Sequence, residues 1–352
     1  MWGAAEMNLN VFDYPLPEEL IAQAPCDQRD GSRMMMVDRG QGAIEHAKFS
    51  HFSAYLKEGD VLVINDSKVI PARLFGRKET GATIEILLLT RVEVETPLNQ
   101  SWEVLLKPAK RISAGTRILL SEGCEATIVE RLSEKKWRLS FAMTMPFTRY
   151  LERYGRAPLP PYIKRTKKGD TAINDLSRYQ TIYARQPGSV AAPTAGLHFS
   201  EKVMADLGKR GIDIAPVTLH VGYGTFNPIA VAQVEEHVME PEFLQVSEAS
   251  AEKINRAGRV IAVGTTATRV IETLADEHGR IHPGSSWTRL FIYPGYSFKR
   301  VNALLTNFHL PMSSLFLLVC AFAGTELMQR AYRQAVEDRY RFYSYGDCML
   351  IL

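Results

Sequence analysis

The strongest constraint on this chain is a change of hydrophobic period partway along it. DVLVINDSKVIPAR, residues 60–73, reads as a buried strand at 61–64 running into a polar turn at Asn65, Asp66 and Ser67. From about residue 72 to 146 the apolar residues come instead in short, often alternating runs: ATIEILLLT, SWEVLLKP, TRILL, EATIVERL and KKWRLSFA. Turn clusters KETG, TPLNQ, SAG, SEG and LSEKK separate them, the spacing of a small antiparallel barrel or sandwich. Pro158, Pro160 and Pro161 then impose an extended connection. Beyond them helical and strand periods alternate. Ser200 heads a helix through SEKVMADLGKRG, stopped by Gly208 and Gly211, and IDIAPVTLHV follows as a strand. A helix at SEASAEKINRAG, a strand at RVIAVG, a helix at TTATRVIETLA and a strand at TRLFIYPG come next. Helices near SSLFLLVCAFAG and TELMQRAYRQAVEDRY close the chain.

Such alternation argues for a barrel-like, mixed or parallel sheet covered by helices. The strand at 61–64 has no α/β neighbours before the β-rich stretch, so it is expected to join the later sheet. The expected fold is therefore a discontinuous α/β domain, residues 8–71 and 158–352, interrupted by an antiparallel β-barrel at 72–157.

Charge follows the same division. The whole chain is nearly balanced, 42 Lys and Arg against 39 Asp and Glu. Residues 72–168 hold 19 Lys and Arg against 10 Asp and Glu, a net of +9 that leaves −6 on the remainder. A basic β module with Tyr150, Tyr154 and Tyr162 interleaved suits a phosphate backbone and exposed bases, although a solvated cationic surface explains a charge run equally well. Cys26, Cys124, Cys320 and Cys348 show no metal-ligand or disulfide spacing, which fits the reducing cytoplasm. The apolar run at 315–324 is half the length of a membrane span, so no membrane association is expected. MWGAAEMN has no secretory pattern and reads as a short extension before Met7.

Four histidines stand in chemically suggestive settings. PGSVAAPTAGLHFS, residues 187–200, is a loop of small residues ending at His198 before a helix start, where backbone can approach a ligand; a tight packing loop is the plain alternative. His220 ends a strand at Gly222, Gly224 and Thr225, the edge at which α/β sheets bind ligands. Gly264, Thr265, Thr266 and Arg269 repeat that geometry at a helix N-terminus, suiting a carboxylate or phosphate, or an ordinary cap. Glu235, Glu236, His237, Glu240 and Glu242 cluster, and Asn307 and His309 share a face if extended. No dinucleotide, P-loop, zinc-hydrolase or serine-hydrolase signature is present, so a nucleotide-dependent oxidoreductase is disfavoured and no metal is expected. A non-catalytic RNA-binding protein stays open on charge alone.

In chain order NDSKVIPARLFGRK, PLPPYI, YQTIYA, PGSVAAPTAGLHF, VTLHVGYGTFNP, RVIAVGTTATR, FIYPGY, LLTNFHLP and YRFYSYGD closely resemble one family, the S-adenosylmethionine:tRNA ribosyltransferase-isomerases of queuosine biosynthesis (the QueA family). The resemblance runs from about Asn10 to the C-terminus. It implies an α/β domain interrupted by a β-barrel, and a reaction. The ribosyl part of S-adenosylmethionine passes to the aminomethyl group of a 7-deazaguanine at the tRNA wobble position and rearranges to an epoxycyclopentane, releasing adenine and methionine. The mechanism written for the family starts with proton removal beside the sulfonium. It needs S-adenosylmethionine as co-substrate and no prosthetic group.

On that basis His198, His220, His237 and His309 are expected to supply acid–base groups, with Glu236 tuning a neighbour. Thr265, Thr266 and Arg269 would hold the methionine carboxylate. Asn65 and Arg73, near the domain junction, and Thr194, Gly196, Gly222, Gly224, Thr225 and Asn307 would contact substrate. Lys107, Lys110, Arg111, Lys164, Arg165, Lys167 and Lys168 would contact tRNA, and a cytoplasmic monomer is expected. Two departures stand out. Many relatives place a second histidine where this chain has Glu240, and many read GTTSVR where this chain has GTTATR.

Overall fold

A computed structural model describes residues 7–110, 112–165, 173–222 and 229–352. Its largest element is a nine-stranded mixed sheet. The order is Gly284–Thr288, Glu242–Val246, Asp213–Leu219, Asp60–Asn65, Arg259–Val263, Ala303–Asn307, Cys348–Ile351, Arg33–Asp38 and Ala43–Lys48. The four strands Asp213–Leu219, Asp60–Asn65, Arg259–Val263 and Ala303–Asn307 are mutually parallel, so their carboxyl ends meet at one edge. Asp60–Asn65 is buried at all six positions because sheet neighbours flank it and apolar clusters cover both faces. As expected, this early strand belongs to the later sheet.

It is not alone there. Arg33–Asp38 pairs with Cys348–Ile351 and Ala43–Lys48, so two strands precede it in the same sheet. The expected strand at TRLFIYPG is also corrected: the strand is Gly284–Thr288, and the Thr288 hydroxyl accepts from the Leu290 amide, turning the chain where the strand was expected to continue. Ser200 caps Glu201–Lys209 by accepting from Val203 N. Gly208 lies inside that helix, and Gly211, at φ +69°, is the glycine that ends it.

The β-rich stretch closes into a six-stranded antiparallel barrel in the order Lys136–Ala142, Asn99–Lys107, Thr83–Val94, Arg73–Lys78, Arg117–Leu119 and Glu125–Arg131. Alternating inward residues such as Trp102, Val104, Leu139 and Phe141 fill it, and the helix Phe147–Tyr154 packs Phe147 and Tyr150 against them. Tyr150 is thus barrel core rather than an exposed stacking surface. Arg73 and Arg156 exchange backbone hydrogen bonds at 3.2 and 2.9 Å where the chain enters and leaves the barrel.

Candidate active site at the strand carboxyl ends

Past the parallel strands the chain surrounds a cavity of about 270 Å³. Five sequence segments supply most of its lining: Pro161 and Tyr162; residues 191–195; Gly264, Thr265 and Thr266; residues 306–313; and Tyr343 with Ser344. The helix Gly264–Leu274 carries no side-chain cap, and its first residues Gly264, Thr265 and Thr266 line the cavity, which places the positive end of its dipole there. Tyr162 and Tyr343 lie 4.0 Å apart between ring centroids, and Tyr162 shares a 2.5 Å hydrogen bond with Ser344. Tyr343 at φ +72° and Met312 at φ +54° hold backbone conformations uncommon for side chains of their size, a local strain that the surrounding packing sustains. Thr266 Oγ1, Asn307 Oδ1 and Tyr343 Oη are buried without hydrogen-bond partners, and all three residues line the cavity.

The histidines divide by position. His309 lines the cavity, shares a 2.8 Å hydrogen bond between Nε2 and the Thr306 hydroxyl, and burial lowers its pKa to about 3. His198 lies behind the cavity wall, its pKa lowered to about 3 by burial and then by the charge of Arg341. Its Nε2 accepts from Asn307 Nδ2 at 3.2 Å, which makes Nδ1 the protonated nitrogen, donating to Ser32 Oγ at 2.7 Å. His198 therefore orients Asn307 and does not face the cavity. Asn307 Nδ2 also donates to Tyr343 O at 3.1 Å, which leaves its oxygen as the free acceptor.

His220 directly precedes the lining residue Val221 but does not itself line the cavity. Its ring stacks on Phe243 at 5.8 Å and burial lowers its pKa. Gly188, at φ +142°, leaves room for it: a Cβ there would stand 3.0–3.2 Å from the ring. His237 packs edge-on against Phe291, also with a burial-lowered pKa, and Glu236 is exposed; neither lines the cavity. Burial thus favours the neutral form of all four imidazoles.

Other expected residues are placed as follows. Thr194 lines the cavity. Arg269 does not; it pairs with Glu242, both nearly fully buried, and donates to Leu290 O at 3.0 Å. Glu242 in turn accepts from the Gly222 amide at 2.9 Å, so this pair anchors the backbone at Gly222 in place of holding an anion. Asn65 is consumed by backbone, donating to Leu219 O and accepting from Leu219 N and Ser67 N at 3.1 Å each. Arg73 is at the domain junction but is engaged by Glu85 and Leu159 O. Gly196 is a packing glycine, since a Cβ there would collide with the Tyr183 hydroxyl.

Lys107 and Lys110 are exposed, Lys164 pairs with Glu18 at the surface, and Arg165 is bound by Asp175. Gly224, Thr225, Arg111, Lys167 and Lys168 lie outside the described residues. Ser32, Thr306, Ser344 and the packing of Tyr343 against Tyr162 were not foreseen. Single hydroxyls carry no sequence signal, and only their hydrogen bonds mark them.

No helix among the described residues is long and apolar enough to cross a membrane. No group of three His, Cys, Asp or Glu among them could hold a metal ion.

One neutral imidazole, three buried polar atoms without partners and an uncapped helix start, gathered beyond the ends of parallel strands, make a site of the kind in which α/β enzymes bind small molecules. Residues 9–351 match the queuosine biosynthesis protein family, and the chain belongs to it. A curated relative from Syntrophus aciditrophicus (strain SB), named S-adenosylmethionine:tRNA ribosyltransferase-isomerase, is 59% identical over 361 residues, 98% of this chain and 100% of the relative. A crystal structure of an S-adenosylmethionine tRNA ribosyltransferase from Thermotoga maritima is 37% identical, covers 97% of this chain and 100% of its own, and superposes with a TM-score of 0.53. The family and the fold class agree with the sequence reading.

Proposed function

We propose that this chain is an S-adenosylmethionine:tRNA ribosyltransferase-isomerase. It transfers and isomerises the ribosyl group of S-adenosylmethionine onto 7-aminomethyl-7-deazaguanine at the tRNA wobble position, giving epoxyqueuosine-tRNA, adenine and methionine. The observation that carries this reading is the 59% identity, over 98% of the chain, with a relative of that name.

The cavity residues take roles consistent with it. The uncapped helix start with Thr265 and Thr266 receives the methionine carboxylate. Asn307 Oδ1, fixed by His198, accepts from an N–H of the substrate. His309, neutral and inside the cavity, removes the proton beside the sulfonium, with His220, just before Val221, for the incoming amine. A well-placed base contributes roughly 10²–10⁴ in rate. Residues 72–157 form the tRNA-binding module, with Lys107 and Lys110 on phosphates, and the enzyme works as a cytoplasmic monomer.

The test is incubation of purified enzyme with S-adenosylmethionine and tRNA bearing the aminomethyl base. Adenine and methionine release with a heavier wobble base supports the reading; binding of tRNA without release overturns it. His309→Ala is expected to slow adenine release about 10²–10⁴-fold, and an unchanged rate removes His309 from the proton transfer.

A further inference from the structure

From His220, which precedes the cavity-lining Val221, an aromatic path leads out to the surface. His220 stacks on Phe243 at 5.8 Å with 19° between the planes, and Phe243 meets Trp287 edge-on, again at 5.8 Å. Phe243 and Trp287 are direct cross-strand partners, hence on one face of the sheet. Trp287 lies on the outermost strand, Gly284–Thr288, and is 58% exposed. Trp102 and Trp137, by contrast, are buried in the barrel.

The surroundings of Trp287 are polar. Ser285, Ser286 and Arg289 are exposed beside it in sequence. On the other side of His220, Lys68 is exposed on the strand Ser67–Val69, which pairs with Gln186–Ser189, the strand holding Gly188 against the His220 ring. A protein partner would call for a contiguous apolar patch. An exposed indole with Ser285 and Arg289 two residues to either side of it matches a nucleotide, whose base stacks and whose phosphate meets the charge. The cavity volume also argues for an external path. At about 270 Å³ it lies at the small end of small-molecule sites, so a polynucleotide must stay outside and send in a single base.

We infer that Trp287 is a base-stacking platform for a nucleotide adjoining the one that enters the site, with Phe243 and His220 leading from it toward the strand end at Val221. This rests on the tRNA reading above. It makes Trp287 a positioning residue for the polynucleotide.

The experiment is fluorescence anisotropy with a labelled anticodon stem–loop RNA, intact and with abasic nucleotides on either side of the wobble position, using the full-length enzyme and Trp287→Ala and Trp287→Phe variants. On intact RNA Trp287→Ala is expected to weaken binding about 5- to 140-fold, the range that a stack of ~1–3 kcal/mol commands at about 1.4 kcal/mol per factor of ten. Trp287→Phe is expected to restore most of the affinity, the salt dependence to keep its slope, and abasic RNA to bind wild type and Trp287→Ala alike. Equal affinity of wild type and Trp287→Ala for intact RNA overturns the inference alone, as does a change of oligomeric state in place of RNA affinity. Failure of the unaltered enzyme to bind the stem–loop overturns both the tRNA reading and this inference.

Discussion

Acid should destabilise this protein through His198, and glutamine at that position should remove the effect. The ring is enclosed, both nitrogens are engaged by Ser32 and Asn307, and Phe49 packs at 5.3 Å between centroids. Burial, then Arg341, lowers its pKa from 6.5 to about 3. Unfolded His198 takes up a proton below about pH 6.5, whereas folded His198 stays neutral to about pH 3. The neutral imidazole's stabilising contribution is therefore complete above that upper value and is lost as pH falls between the two. At about pH 5, roughly 1.5 units below the upper value, the loss is about 2 kcal/mol at ~1.36 kcal/mol per unit. His309 follows the same sign and contributes a similar amount, since burial also lowers its pKa to about 3. Urea unfolding at about pH 7.5 and about pH 5, both above most carboxylate titration, measures the drop. In His198→Gln the drop should be about 2 kcal/mol smaller than in wild type. An equal drop in the two proteins would refute the neutral, buried assignment.

Glu242→Gln leaves Arg269 buried opposite a neutral amide, and chemical denaturation should show a loss of about 3–5 kcal/mol; a loss below about 1 kcal/mol would mean the pair is not enclosed. Gly188→Ala should push the His220 ring off Phe243, lowering adenine release while the unfolding midpoint of the barrel holds; full activity would show that the ring position is immaterial. Lys107→Glu with Lys110→Glu should weaken tRNA binding and make the log–log salt slope shallower by roughly 0.7–0.9 for each phosphate that these lysines neutralise, and an unchanged slope would take both of them off the RNA path.

The period change was legible because a barrel and an α/β sheet write different patterns: alternating runs such as SWEVLLK against helix-length apolar spacing. Ser200 was equally readable, since it accepts from the amide three residues on. The strand Arg33–Asp38 escaped because its central MMMV run is buried on both faces and carries no alternation, and its partner Cys348–Ile351 lies more than 300 residues away. At the site, backbone features such as Gly264 and the threonines could be read. Which side chains face inward could not, because Arg269 and Glu242 find each other across 27 residues and Asn65 spends its amide on the Leu219 backbone. Charge patterning marks candidates; only packing decides which charges remain available.

Glu240 shows how this bears on the chemistry. The family resemblance sets a histidine at its position, so a proton carrier is the first role to consider. Its carboxylate instead meets Lys136 of the barrel at 2.7 Å, two residues before Glu242, whose own carboxylate secures the Gly222 amide behind His220. An exposed pair of this kind contributes about 0–1 kcal/mol. It ties the barrel only lightly to the rim of the site. The other attachment is firmer: the Arg73 and Arg156 backbones are paired, and Gly155 approaches so closely that a Cβ would collide with the Pro71 carbonyl. If the barrel binds tRNA as proposed, firm attachment at its root and a light one at its tip would let the tip adjust with little effect on the cavity. On the proposed chemistry, proton transfer falls to His309 inside the cavity, and Glu240 serves as one contact between the two domains.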